Sequence, residues 1–197
     1  MPITRRLSLL VLAATLAGCA TTSNNVATVG AYRDTIDLDG RLSVNYQKNG
    51  NGESLTGSFD WTQRPGNVDV TLTGPLGQTV ATISVTPQSA TLTQAGRAPI
   101  TEANIDSLTQ RILGWPLPVS GLRDWLQGYA VDAQGQRFSA SPARNEVTTQ
   151  DGWRLRFVEW HDANAAQPVP RVIYATRAAS GDIQDLSIRI IVNPAQA

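Results

Sequence analysis

Few side chains in this sequence have the type and spacing that catalysis requires. The single histidine, His161, cannot form a multi-histidine metal site, and we interpret it as a loop residue at the end of a strand. Asp37 and Asp39 lie on one side of a predicted strand start, where two solvated carboxylates are favoured over an acid–base pair. The chain is therefore not expected to be an enzyme, and no metal site is expected.

Two glycine-containing motifs of enzymes are also missing. No Gly-x-Ser-x-Gly segment occurs, so a serine nucleophile has no anchor. Gly50 and Gly52 begin a Gly-x-Gly pattern, but Leu55 stands where a dinucleotide-binding loop needs its third glycine. Because this segment joins two predicted strands rather than a strand and a helix, no nucleotide cofactor is expected.

The one cysteine of the chain, Cys19, indicates a different chemistry. It has no second thiol with which to form an internal disulfide. It follows the basic residues Arg5 and Arg6 and an apolar run over residues 7–16, which is the pattern of a secretory signal. About 10 apolar residues are too few for a membrane-spanning helix, which needs roughly 20.

Cys19 is expected to carry a lipid. The segment Leu-Ala-Gly-Cys at residues 16–19 resembles the lipobox of bacterial lipoproteins, in which the thiol takes a diacylglyceryl group and the signal is cut before the cysteine. The resemblance implies a signal peptide over residues 1–18. Ala20 follows the cysteine instead of an aspartate, which implies an outer-membrane location facing the periplasm. An ordinary secreted protein with an incidental cysteine is the alternative.

Composition bounds the rest of the chain. Residues 19–34 are predicted to form the lipidated N-terminus and a flexible tether, and residues 35–197 to form one domain. Without Arg5 and Arg6, 14 basic residues face 16 acidic ones, which gives a net charge of −2. A chain without a basic patch is not expected to bind nucleic acid or to adhere to anionic lipid. Membrane attachment must then come from the acyl chains.

Apolar residues alternate with period two on both sides of a helical middle. Five strands are predicted from Ile36 onward, with turns at residues 49–52, 64–67 and 74–77. After the middle, short strands are predicted near Arg137 and Glu146. Three longer strands follow. The residues predicted to share one face are Trp153, Leu155 and Phe157 in the first, Val172 and Tyr174 in the second, and Leu186, Ile188, Ile190 and Val192 in the third.

The middle of the chain has helical spacing. Thr101 is the predicted N-cap of a helix that carries Ile105, Leu108 and Ile112. Ser120 is the predicted cap of a shorter helix, which Gly128 closes and which carries Leu122, Trp125 and Leu126. Consecutive hairpins imply an antiparallel sheet, which must curl and be covered by these helices. The predicted fold is therefore mainly β.

Six short motifs follow one another in the chain. They are Gly-Arg-Leu-Ser-Val (40–44), Ser-Phe-Asp-Trp (58–61), Leu-Thr-Gly-Pro-Leu-Gly (72–77), Trp-Pro-Leu-Pro (115–118), Leu-Arg-Asp-Trp-Leu-Gln-Gly (122–128) and Gly-Trp-Arg-Leu (152–155). Their order resembles the LolB family of outer-membrane lipoprotein receptors over residues 40–192. One departure is the end of the last strand, where Ile-Val-Asn-Pro replaces a tryptophan that the family often has.

The resemblance implies an incomplete antiparallel β-barrel of about 10–11 strands, with short helices as a lid over an apolar cavity. It implies a protein that receives lipoproteins from the periplasmic carrier LolA, binds their acyl chains and inserts them into the inner leaflet of the outer membrane without ATP. The implied partners are the LolA-type carrier, the acylated cargo and the bilayer. No cofactor is implied, and a monomer is expected.

Two sets of site residues follow. In the loop Gly74, Pro75, Leu76 and Gly77, the proline fixes the backbone and the glycines permit a tight turn, which places Leu76 at the tip. The resemblance implies that this loop delivers cargo to the membrane. The cavity candidates, predicted from alternation and helix faces, are Phe59, Trp61, Val70, Leu72, Trp115, Leu122, Trp125, Leu155 and Phe157.

Two other functions stay open. One is a periplasm-facing lipoprotein that binds another lipid or apolar ligand in the same fold. The other is a structural envelope lipoprotein with a filled core. The five tryptophans do not separate them, because aromatic residues with this spacing either fill a core or line a pocket.

Overall fold

The computed structural model describes residues 27–113, 119–178 and 183–194, which form twelve strands and two helices. The strands are β1 (Ile36–Lys48), β2 (Asn51–Arg64), β3 (Asn67–Thr73), β4 (Thr79–Val85), β5 (Ala90–Thr93), β6 (Ile100–Glu102), β7 (Tyr129–Val131), β8 (Arg137–Ser139), β9 (Glu146–Thr148), β10 (Arg154–Trp160), β11 (Pro170–Arg177) and β12 (Ile183–Val192). The helices are α1 (Ile105–Leu113) and α2 (Val119–Trp125), and neither is long and apolar enough to cross a bilayer. The predicted signal peptide and Cys19 lie outside the described residues.

Ten strands form one antiparallel sheet in the order β6-β5-β4-β3-β2-β1-β12-β11-β10-β9. At its centre the first strand pairs with the last, with Gly40 opposite Val192. Within the described residues the two end strands, β6 and β9, do not pair with each other, so the sheet is open. The strands β7 and β8 form a separate hairpin. This mainly β, open sheet with two short helices confirms the predicted fold class.

Tight turns set the register of the first three strands. Asn49 and Gly50 join β1 to β2 with φ angles of 52° and 78°, as a type I′ hairpin turn requires. A second two-residue loop, Pro65-Gly66, joins β2 to β3. These loops determine which side chains of β1, β2 and β3 face the helices, because a one-residue slip would exchange the two faces.

The starts of both helices differ from the prediction. The cap of α1 is Asn104, whose side-chain oxygen accepts a hydrogen bond from the N–H of Ser107 at 2.8 Å. Thr101, the predicted cap, instead pairs within β6, a strand that the sequence patterns did not predict. Ser120 lies inside α2, and its hydroxyl donates to the carboxylate of Asp106 at 3.2 Å. Ser120 therefore does not cap α2, and its hydroxyl instead links α2 to α1.

One face of the sheet packs against the helices and forms the core. The residues of β12 that were predicted to share a face are all buried: Leu186, Ile188, Ile190 and Val192. In β11, Ile173 and Ala175 belong to this core, whereas the predicted pair Val172 and Tyr174 does not. Alternation alone could not assign this face because β11 is apolar at four successive positions. Its register with β12, which sets Ile173 opposite Ile190, decides the face.

Residues 27–34, which the sequence assigned to the flexible tether, lie against the domain, and we call them the N-terminal strap. Val29 is buried, and its N–H donates to the carbonyl oxygen of Ala140 at 3.1 Å. The Tyr129 hydroxyl donates to the carbonyl oxygen of Gly30, and its ring meets that of Tyr32 edge-on at 5.7 Å. The folded part therefore begins several residues before position 35.

Candidate functional site: an apolar cavity and a protruding loop

An apolar cavity lies between the core face of the sheet and α2. Its volume is about 50 Å³, and every side chain that lines it is apolar. The lining residues are Leu42, Phe59, Trp61, Val70, Leu72, Ile83, Val119, Leu122, Leu126 and Ile190. The strands β1 to β4 and β12 form the wall. The helix α2 and the residue that follows it, Leu126, form the lid.

Five of the nine predicted cavity residues line this space. They are Phe59, Trp61, Val70, Leu72 and Leu122. Trp115 lies outside the described residues. Most of the other lining residues could have been predicted from the sequence pattern. Leu42, Ile83 and Ile190 alternate within predicted strands, and Leu126 lies four residues after Leu122 on the same helix face.

Trp125, Leu155 and Phe157 were predicted at the cavity, but the structure packs them elsewhere. The ring of Trp125 lies 5.9 Å from that of Trp153, and the ring of Phe157 stacks on that of Phe138 at 6.3 Å. Leu155 and Phe157 are 0% exposed. The reason is the hairpin of β7 and β8, which covers this part of the sheet and which the sequence patterns predicted only in part.

A close approach of backbone and ring shapes the cavity wall. Gly40 of β1 lies opposite Phe59 of β2. A Cβ at Gly40 would lie 2.9 Å from the Phe59 ring and 2.0 Å from the carbonyl oxygen of Ile191. Only glycine allows the Phe59 ring to lie across β1. Gly40, the first residue of the Gly-Arg-Leu-Ser-Val motif, therefore positions an aromatic side chain of the cavity.

A polar network centred on the buried side chain of Gln63 and the exposed backbone of Arg33 joins the cavity wall, the lid and the N-terminal strap. Gln63 is 0% exposed, and its side-chain N–H group donates to the Tyr32 hydroxyl at 3.1 Å and to the carbonyl oxygen of Arg33 at 3.3 Å. The indole N–H of Trp61 donates to the Gln63 oxygen at 3.4 Å. At the end of the lid, Gln127 accepts from the Arg33 N–H at 2.9 Å and donates to the Arg33 carbonyl at 3.0 Å. The strap therefore holds the lid to the sheet.

A carboxyl group lies near the C-terminal end of the lid helix. Burial raises the pKa of Asp124, and the charges of Arg137 and Arg123 offset this only in part. A negative charge at a helix C-terminus is also unfavourable with respect to the helix dipole. The ionised carboxylate is therefore a destabilising element of the lid at neutral pH.

The loop between β3 and β4 projects one leucine into solvent. The Gly77 N–H donates to the carbonyl oxygen of Gly74 at 3.0 Å, and the Gly74 N–H donates to that of Gln78 at 2.9 Å. With Gly77 at a φ of 80°, this is a type I turn followed by a bulge, and Pro75 suits its second position. Leu76 is 92% exposed at the tip.

Among residues 27–113, 119–178 and 183–194, the side chains capable of catalysis do not converge. A hydrogen bond from the Arg64 guanidinium, 3.0 Å away, lowers the pKa of Asp37. A carboxylate oxygen of Asp39 accepts a hydrogen bond from the side chain of Asn193. His161 lies in the loop after β10. Among the described residues, no group of three or more His, Cys, Asp or Glu side chains is placed to hold a metal ion.

The fold and the site define a class of protein with an open antiparallel sheet and a lidded apolar cavity. A family model described as outer membrane lipoprotein LolB matches residues 34–194. The outer-membrane lipoprotein LolB of Cupriavidus metallidurans is 36% identical over 198 residues, which cover 96% of each chain. That of Cupriavidus necator is 40% identical over 156 residues, 79% of this chain and 77% of its own. The chain belongs to the outer membrane lipoprotein LolB family.

A more distant likeness is to a solved structure titled as a LolA superfamily protein from Nitrosomonas europaea. It has a TM-score of 0.42 and 9% identity, and it covers 80% of this chain and 84% of that one. Membership of the LolB family makes this protein a lipid-anchored outer-membrane lipoprotein of a Gram-negative bacterium. Its role lies in lipoprotein localization.

Proposed function

We propose that the protein receives acylated lipoproteins from a LolA-type periplasmic carrier, holds their acyl chains at the apolar cavity and inserts them into the inner leaflet of the outer membrane. The observation that carries the proposal is the wholly apolar cavity under a short helical lid. The described side chains that could support catalysis are dispersed, which supports transfer by binding alone. The protein acts as a monomer and not as an enzyme.

Acyl chains need such a site because water excludes them. Burying one CH₂ group is worth about 0.8 kcal/mol. Three acyl chains of roughly 15 such groups each would therefore cost on the order of 36 kcal/mol to expose. The free energy of the acyl chains falls at each step if the receptor covers them better than the carrier does, and the bilayer covers them better than the receptor. Transfer through these steps requires no nucleotide.

The cavity must enlarge to accept cargo. Its volume of about 50 Å³ is well below the roughly 300–1,000 Å³ of typical ligand pockets. The wall belongs to a continuous sheet, whereas α2 is a helix of seven residues that bears Leu122 on the cavity. Displacement of this lid lets acyl chains replace its apolar side chains against the wall. Return of the lid then favours release, because the lid and the cargo compete for the same surface.

Leu76 provides the contact with the membrane. Burying one leucine side chain is worth roughly 1.5–3 kcal/mol, which is too little to anchor a protein but enough to orient one that is already tethered. The tether is the lipid on Cys19, which keeps the receptor beside the bilayer. A Cys19→Ala protein should stay soluble and still pass cargo to liposomes. Loss of transfer in that variant would show that the anchor takes part in transfer itself.

The decisive experiment offers the protein a lipoprotein bound to its periplasmic carrier and measures the cargo on each protein after separation. The proposal expects cargo to move to this protein and then to added liposomes, without ATP. Depletion of the protein in its own cell should leave outer-membrane lipoproteins on the carrier. If no cargo moves while another lipid binds in the cavity, the protein is a lipid-binding module and not a receptor.

A further inference from the structure

The second strand has an unpaired edge beside the cavity. All of β2 pairs with β1, from Asn51 opposite Lys48 onward. Its pairing with β3 begins only at Ser58, opposite Thr73. Among the described residues, the segment 51–57 has no strand on that side. At roughly 3.3 Å per residue this free edge is about 23 Å long.

The turns determine which backbone groups this edge presents. In an antiparallel pair, successive residues direct their N–H and C=O groups to opposite sides of the strand. The two-residue turn between Lys48 and Asn51 makes these residues a hydrogen-bonded pair, so the odd-numbered residues of β2 bond to β1. The even-numbered residues Gly52, Ser54 and Thr56 therefore direct their N–H and C=O groups to the free side.

In the part of the chain that the structure describes, the usual protection of an edge strand is largely missing here. Proteins shield such edges with proline, lysine, bulges or a covering element. The segment 51–57 contains no proline, and Glu53 is its one charged residue. The pairing of β2 with β1 shows no bulge, and Leu55 is 50% exposed. The edge is thus suited to pair with an extended peptide.

The position of the edge indicates which peptide would bind. The same strand continues into Phe59 and Trp61, which line the cavity, so the edge begins where the cavity wall ends. A peptide attached to an acyl chain that enters at this end of the cavity would lie beside the edge. As an example of the segment that follows a lipobox cysteine, residues 20–26 of this chain contain no charge and no proline, so nothing in them prevents pairing with a strand edge.

We propose that the free edge of β2 binds the extended peptide that follows the acylated cysteine of the cargo, as an added strand. Backbone pairing accepts many sequences, which suits a receptor for more than one lipoprotein. The inference rests on the proposed function, because it requires acyl chains in the cavity. It adds a second recognition element that reads the peptide and not the lipid.

The test uses the mature full chain held in lipid nanodiscs. The probe is a diacylglyceryl-cysteinyl peptide with the sequence of residues 20–26, which bears one photoreactive group in an acyl chain and another in the peptide. Cross-links from the acyl chain report the cavity, and cross-links from the peptide report the edge. A second probe carries N-methyl groups at alternate peptide nitrogens, which removes backbone pairing without changing the protein.

Cross-links from the peptide should fall on residues 51–57, and N-methylation should reduce them about tenfold, as expected for the loss of two hydrogen bonds. Ser54→Pro removes one edge N–H and should reduce them as well, whereas Ser54→Ala should not. Acyl cross-links to the cavity should persist throughout. If they persist while the peptide label reacts elsewhere, or reacts equally with both probes, the edge proposal is wrong. If the acyl cross-links to the cavity are also absent, the cavity does not bind acyl chains and the proposed function itself is wrong.

Discussion

The core of this protein has two sides that are packed in different ways. On the cavity side, formed by β1 to β4, β12 and α2, the apolar walls leave a space of about 50 Å³. On the filled side, formed by β9 to β11 and the β7–β8 hairpin, Phe138 stacks on Phe157 at 6.3 Å and Trp153 is 1% exposed. Strands with alternating apolar residues occur on both sides, for example β3 and β10. What differs is the cover, which is a short helix on one side and a hairpin with a large aromatic side chain on the other.

This difference divides stability from function. Well-packed interiors gain dispersion energy from every contact, whereas side chains that line a void lose it. We therefore expect the filled side to contribute more to the free energy of unfolding per residue. The cavity side gives up some of that energy so that a ligand can replace the lid. Four predictions test the comparison, and they are ordered by their expected effect on stability.

The largest effect is expected for Phe157→Ala on the filled side. This side chain is 0% exposed, and its removal should cost about 3–5 kcal/mol of unfolding free energy. Phe59→Ala on the cavity side should cost about 1–2 kcal/mol less, because fewer atoms surround that ring. Urea unfolding of the two variants measures both values. Equal costs would mean that the two sides are packed alike.

The addition of volume should also cost more stability on the filled side than on the cavity side. Ala175→Val places two methyl groups in a fully buried position of the filled side and should cost about 1–3 kcal/mol. Val70→Leu adds one methylene at the cavity and should cost under about 1 kcal/mol. The cavity variant should nevertheless bind an acylated peptide less well. Unfolding and binding measured on the same samples would separate packing from function, and an unchanged binding affinity would contradict the assignment of the site.

A smaller, pH-dependent effect is expected for the lid between the two sides. The pKa of Asp124 is raised in the folded state, so the folded protein holds this proton more tightly than the unfolded chain does. The protonated Asp124 side chain contributes fully to stability at a pH below its pKa in the unfolded chain. This contribution is lost as the pH rises through its pKa in the folded protein. Asp124→Asn should therefore be more stable than the parent at pH 7, and this advantage should shrink toward pH 4. An advantage that is constant with pH would exclude the carboxylate as its cause.

The smallest effect on stability is expected for the protruding loop. Leu76→Glu should change the free energy of unfolding by less than about 0.5 kcal/mol, because the side chain has few contacts to lose. It should accept cargo and deliver it poorly to liposomes. Val169→Glu, at another exposed apolar position, is the matched control and should deliver normally. Normal delivery by the Leu76 variant would remove the loop from the mechanism.

The same comparison shows how far the sequence predicted the site. Leu122 and Trp125 lie three residues apart on α2 and were predicted to face one cavity. Leu122 lines the cavity, whereas Trp125 packs against Trp153 on the filled side. Helical spacing indicates that both residues are buried, but it cannot indicate which of two adjacent spaces each one enters. The buried amide of Gln63 was not predicted either, because two of its partners, Tyr32 and the Arg33 carbonyl, are supplied by the strap.

The sequence by itself determined the local features of this protein. Alternation, the Asn49-Gly50 turn and the tip position of Leu76 depend on residues a few places apart, so they could be predicted from neighbours alone. The tertiary structure decided the pairing of β1 with β12, the face of β11 and the division of the core into a cavity side and a filled side. Each of these depends on contacts between residues far apart in the chain, such as Gly40 with Val192 and Phe138 with Phe157. Such contacts follow from the geometry of the whole sheet and leave no periodic signal in the sequence.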